Sequence, residues 1–141
     1  MESFYSKIRF DNYYLDNITL ETKREPFEEP KFDFNPAIAF DEDDKVGGLK
    51  VQFSIEDRAT SLKGECFAFF SYDENLTKDD ASSLIAHNGL TILFPYLRSA
   101  ITNFTTAANV NPIIIPTINI LELIKEKLEN LENGFFSSSV K

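Results

Sequence analysis

The stretch from Ala86 to Ile124 constrains this chain more than any other, because two helical patterns in it are separated by three isoleucines held between prolines. Leu90, Leu93, Phe94, Leu97, Ala100, Ile101, Phe104, Ala107 and Ala108 recur at spacings of three and four, which puts one apolar stripe on one helix face. Pro95 cannot donate an interior helical hydrogen bond and disfavours helical geometry at Phe94, so the pattern predicts a helix that starts near Phe94 or kinks there. Asn109, Asn111 and Pro112 end it. Ile113, Ile114 and Ile115 then run extended between Pro112 and Pro116, too few for a helix and too apolar for a solvated loop. Asn119 caps a second helix with Glu122 three residues on, and Ile120, Leu121, Ile124, Leu128 and Leu131 form its apolar face.

Everything before Ala86 reads mainly as sheet. Ile8 to Thr22 changes its alternation phase near Asn12 and Asn17, which predicts a strand interrupted by a bulge or a turn. The charged segment from Lys23 holds two prolines, Pro26 and Pro30, and reads as a loop. Phe32, Phe34, Pro36, Ile38 and Phe40 alternate with small or polar residues, and Pro36 assigns that strand to a sheet edge or an extended arm. Leu49, Val51, Phe53 and Ile55 define a strand with one wet face, whereas Leu62 to Tyr72 is apolar on both faces around Cys66 to Phe70. A short helix from Lys78 to His87 is expected to end at Asn88-Gly89. Strands followed by helices make an α+β domain: a four-stranded antiparallel sheet with two main C-terminal helices joined by a Pro-flanked crossover loop. Residues 1–133 form one domain on this reading, and 134–141 a disordered tail.

Composition excludes several functions. A formal charge of -9, with the basic residues scattered, argues against nucleic acid. No apolar run approaches the ~20 residues that span a bilayer, and no leader pattern opens the chain, so a cytoplasmic protein without membrane insertion is expected. Cys66 is the one cysteine and His87 the one histidine, which leaves no His/Cys metal set and no internal disulfide. The acidic turn at Asp41 to Asp44 lacks the glycine position and closing glutamate of a calcium loop. Phosphate-binding and nucleophile-elbow motifs are also missing. No catalytic residue and no cofactor are assigned. Fourteen Phe and five Tyr without Trp leave apolar surface that another chain or a ligand would cover. Phe34, Ile38 and Phe40 on the edge strand and Ile113 to Ile115 in the loop would line a groove for an extended apolar peptide.

Two segments carry a resemblance. Leu93-Phe94-Pro95-Tyr96-Leu97-Arg98, followed by Asn111-Pro112-Ile113-Ile114-Ile115-Pro116-Thr117-Ile118-Asn119, resembles the helix run and crossover loop of the SecB family of export chaperones. Asp33 to Asp41 resembles that family's aromatic-x-Pro-x-apolar-x-apolar-Asp strand, and the likeness extends over about Tyr5 to Leu128. It implies ATP-independent holding of unfolded or nascent polypeptides, in export, by a homotetramer built as a dimer of dimers. Carried over, the client groove comprises Phe34, Ile38, Phe40, Ile113, Ile114, Ile115, Ile120, Ile124 and Leu128. The family's acidic docking face for the SecA motor maps to Asp16, Glu21 and Glu65, with Asn17 standing where one acid would be. Leu97, Ile101 and Phe104 fall at the oligomer interface. A dedicated chaperone of one partner, such as an antitoxin, and a carrier of an apolar small molecule are the alternatives.

Overall fold

The computed structural model describes residues 7–26, 28–41, 43 and 45–127. Four antiparallel strands, β1 (Ile8–Thr22), β2 (Lys31–Asp41), β3 (Val46–Glu56) and β4 (Thr60–Tyr72), form one sheet in the order β1-β4-β3-β2. β2, β3 and β4 are a meander, and β1 returns to lie beside β4. The two interruptions fall within one strand and not at turns: the β1–β4 register shifts between Phe10 and Asn12 and again between Asp16 and Thr19. At the second shift Asn17 takes a left-handed φ of 52°, a conformation that asparagine tolerates better than most residues. β2 lies at an edge, as Pro36 requires, since a central strand would need the N–H that proline lacks.

Period-2 alternation turns one sheet face inward. Phe34 and Ile38 of β2, Leu49, Val51, Phe53 and Ile55 of β3, and Leu62, Cys66, Ala68 and Phe70 of β4 are buried in one cluster with the helices. Helix α1 (Lys78–Leu84) starts at Thr77, whose hydroxyl accepts the Asp80 N–H at 3.1 Å, with Asp79 and Asp80 in the first turn where the helix dipole favours them. It does not end at Asn88-Gly89. Ile85–Gly89 continues as a single π-helical segment and feeds directly into α2 (Leu90–Ala107). Gly89 has a helical φ of -64°, so it serves proximity and not a turn: a Cβ there would meet Cζ of Phe70 at 3.2 Å.

Of the two courses open at Pro95, α2 does not start near Phe94. The regular helix opens at Leu90 and contains Pro95, with Phe94 helical and buried. The carbonyl that proline deprives of a donor is that of Thr91, and Thr91 and Pro95 both lie on the exposed side of the helix, where losing one helical bond costs least. Leu90, Leu93, Phe94, Leu97, Ile101 and Thr105 form the buried stripe. Each fully buried leucine or isoleucine contributes about 1.5–3 kcal/mol. The Phe94 ring meets Phe34 of β2 edge-on at 5.2 Å, while Tyr96 meets Phe10 and Tyr13 of β1, each at 5.2 Å, so α2 contacts both edge strands. The last helix, α3 (Ile120–Lys127), is capped as the sequence predicts: Asn119 Oδ1 accepts the Glu122 N–H at 3.1 Å. Leu131 and the 134–141 tail lie outside the described residues.

Candidate functional site: the crossover loop and its surroundings

The chain leaves α2 through Asn109, whose φ is 61°, and doubles back as an irregular segment with no sheet partner among the described residues. Its backbone is bonded instead by side chains of α2. Thr105 Oγ accepts the Ile113 N–H at 3.0 Å, and Thr102 Oγ donates to the Ile113 carbonyl at 2.7 Å. Arg98 donates from Nε to the Ile115 carbonyl at 2.9 Å and from Nη2 to the Pro116 carbonyl at 3.3 Å. Arg98, Thr102 and Thr105 are spaced by four and three, so they form one stripe along the helix. Prolines on both sides bias Asn111 and Ile115 towards extended backbone. Extended geometry alternates side chains: Ile113 and Ile115 are buried, and Ile114 is 69% exposed.

That alternation divides the expected groove. Phe34, Ile38, Ile113 and Ile115 belong to the closed core, packed beneath the chain's own helices. Their burial leaves no free surface for a client while the chain keeps this packing. Phe40, Ile120 and Ile124 are half-buried against the same cluster, and Leu128 lies outside the described residues. Among the described residues the surface therefore reduces to Ile114, half-exposed Leu121 at 50%, and the partly covered Phe40, Ile118, Ile120, Leu123 and Ile124. Sequence reasoning missed Thr102 and Thr105 altogether, although polar residues flanking an apolar helical stripe signal a local backbone partner.

The interface residues separate in the same way. Leu97 and Ile101 are within the core, because the stripe they share with Leu93 and Phe94 faces this chain's own sheet. They are not available to a second protomer. Phe104 (39% exposed) and Tyr96 (44%) remain on the surface. Beside them runs the inner face of β1, where Phe10, Tyr13, Leu15, Ile18 and Leu20 are only half-buried.

On the outer sheet face Asp16 sits opposite Glu65, and Glu21 sits opposite Ser61. The face is not a continuous acidic patch. Glu65 accepts a hydrogen bond from Asn17 Nδ2 at 2.8 Å and pairs with Lys50 at 3.7 Å. Lys63 lies between Ser61 and Glu65 on the same row of β4, and its Nζ is 3.8 Å from Glu56. Cross-strand pairing thus places lysines among the acids. At the β2 edge, Lys127 of α3 reaches Asp33 at 3.3 Å and Asn35 at 3.0 Å. The Asn35 hydrogen bond, together with Lys127, holds the Asp33 carboxyl below the usual carboxylate range. Burial pushes the Cys66 thiol up to about 12, so it stays protonated and inert at neutral pH. Among the described residues no cluster of His, Cys, Asp and Glu could hold a metal ion, and no helix is long and apolar enough to cross a membrane.

No family model matches the sequence. A segment of 77 residues is 36% identical to an uncharacterised protein of Methanocaldococcus jannaschii, covering 50% of this chain and 48% of that protein. The chain thus matches about half the length of that relative. Among solved structures, a SecB-like chaperone of Mycobacterium tuberculosis, in complex with a ChAD peptide from the HigA1 antitoxin, superposes with a TM-score of 0.68. That likeness covers 80% of this chain and 88% of the other at 16% identity, and it makes the fold SecB-like.

Proposed function

We propose that this protein is a chaperone that holds an extended, apolar segment of an unfolded or nascent polypeptide without nucleotide or cofactor. The observation that carries the proposal is the crossover loop: an isoleucine 69% exposed on a backbone fixed by Arg98, Thr102 and Thr105, beside the partly covered apolar face of α3. A flexible loop would bury Ile114; a loop tied to a helix by four hydrogen bonds keeps it presented. The SecB-like fold, and a peptide-bound structure of that fold, support a polypeptide as the client class. The formal charge of -9 keeps such a surface dispersed. The proposed unit is a single domain over 1–133.

Of the two forms this function takes, a dedicated chaperone of one partner such as an antitoxin is favoured over an export factor that hands clients to a SecA motor. Lys50 and Lys63 interrupt the outer acidic face, and the peptide in the solved complex comes from an antitoxin. Aggregation of a chemically denatured client, followed by light scattering with and without stoichiometric protein, tests the reading. Suppression without ATP is expected, and Ile114→Asp should raise the half-effective concentration about tenfold with unchanged circular dichroism. Equal protection by Ile114→Asp would remove the loop from the site. A client range restricted to one partner would select the dedicated form.

A second element of the proposal is self-association, in which the half-covered row of β1 and the exposed Tyr96 and Phe104 of α2 meet a second copy, up to a homotetramer. A long apolar row left half-open beside two exposed aromatic rings supports it.

A further inference from the structure

The hydrogen bonds of the crossover loop have a polarity that side-chain exposure alone does not reveal. Both backbone polar groups of Ile113, and the carbonyls of Ile115 and Pro116, are directed at α2 by Thr105, Thr102 and Arg98. Over Ile113 to Ile115 buried and exposed side chains alternate as in extended chain, where the N–H and C=O of one residue point to the same side and those of the next to the opposite side; the Pro116 carbonyl, turned to Arg98 like that of Ile115, marks where this alternation ends. The N–H and C=O of Ile114 therefore point away from α2, and among the described residues neither has a hydrogen-bond partner. The positions two residues to either side are Pro112 and Pro116, which have no N–H to offer.

We infer that the main chain of Ile114 is a one-residue β-edge, which takes a single residue of an extended client as an antiparallel partner by exchanging both N–H···O bonds. This rests on the polypeptide-holding function proposed above and specifies how the client is recognised. The client residue opposite Ile114 carries an unsubstituted amide, so proline is excluded there, and its side chain lies alongside that of Ile114 on the solvent face. Recognition through the main chain is indifferent to side-chain identity, which suits a holder of unfolded chain. The flanking prolines limit the edge to one donor, so the loop does not template an open-ended sheet. Arg98, Thr102 and Thr105 are the positioning residues, since they orient the pair without touching the client.

The test is a fluorescein-labelled nonapeptide, Ser-Ser-Ser-Leu-Val-Leu-Ser-Ser-Ser, blocked at both ends, read by fluorescence anisotropy against the full chain. Three versions carry a single N-methyl group, on the central valine or on either leucine. Methylating the valine is expected to weaken binding about tenfold, the effect of one lost hydrogen bond at the upper end of its usual range, and methylating either leucine about twofold or less. Ile114→Ala should keep this pattern, and Ile114→Pro, which removes the Ile114 N–H and keeps its carbonyl, should weaken binding of the parent peptide about tenfold. A parent peptide that binds with equal sensitivity at all three positions overturns the pairing and leaves the chaperone reading standing. A parent peptide that does not bind, together with unprotected denatured clients, overturns both.

Discussion

Thr105 shows how much one hydroxyl can organise. It is fully buried, shares its proton between the carbonyls of Ile101 at 2.9 Å and Thr102 at 3.1 Å, and accepts the Ile113 N–H. Thr105→Val keeps the shape and leaves that buried N–H without a partner, so it should destabilise the chain by about 1–3 kcal/mol, measured by urea denaturation. Equal stability would mean that the loop shifts to find water. Cys66 offers an independent reading of the core. Its thiol, buried beneath α2, should resist alkylation at neutral pH until the chain unfolds, so labelling kinetics report global opening. Its pKa is raised in the folded state, so the unfolded chain loses the proton first as pH rises above the ordinary value of 9.0. Stability should therefore be unaffected by this group below pH 9 and decline above it, with Cys66→Ala flattening that decline.

At the scale of elements, Arg98 is the tie between α2 and the crossover loop. Arg98→Lys retains the charge but not the fork that serves two successive carbonyls. It should lower client affinity about three- to tenfold while far-ultraviolet circular dichroism stays constant, and unchanged affinity would release Arg98 from its role. The strands were legible beforehand because alternation is local: the two bulges of β1, the edge position marked by Pro36 and the Asn119 cap all follow from residues within a few positions of each other. The π-helical segment was not legible. Asn88-Gly89 reads as a stop until Phe70, some twenty residues earlier, is known to occupy the space beside Gly89. The candidate site was half legible for a related reason. Apolar spacing marks Leu97, Ile101, Ile113 and Ile115 as covered, but periodicity carries no information about whether the cover is the same chain or another. What covers them here is the chain's own sheet and helices.

For the whole molecule the open question is the second copy, and Phe104 addresses it cleanly. At 39% exposure, an aspartate there stays hydrated within one chain, whereas at a protein–protein contact it would be buried without a partner, at a penalty of several kcal/mol. Phe104→Asp should reduce the mass measured by light scattering to that of the single chain, with circular dichroism unchanged. An assembly that survives the substitution would move the contact away from this face of α2.

The strand order also has a consequence in time. β1 leaves the ribosome before the other three strands, yet among the described residues its sheet neighbour is β4, which begins at Thr60. Throughout synthesis of β2 and β3, a strand bearing Phe10, Tyr13, Leu15 and Ile18 waits unpaired, and closure of the sheet depends on a contact between segments some fifty residues apart. The nascent form of this protein thus passes through a stage in which it is itself an extended, apolar polypeptide, the chemical class that its mature form is proposed to hold.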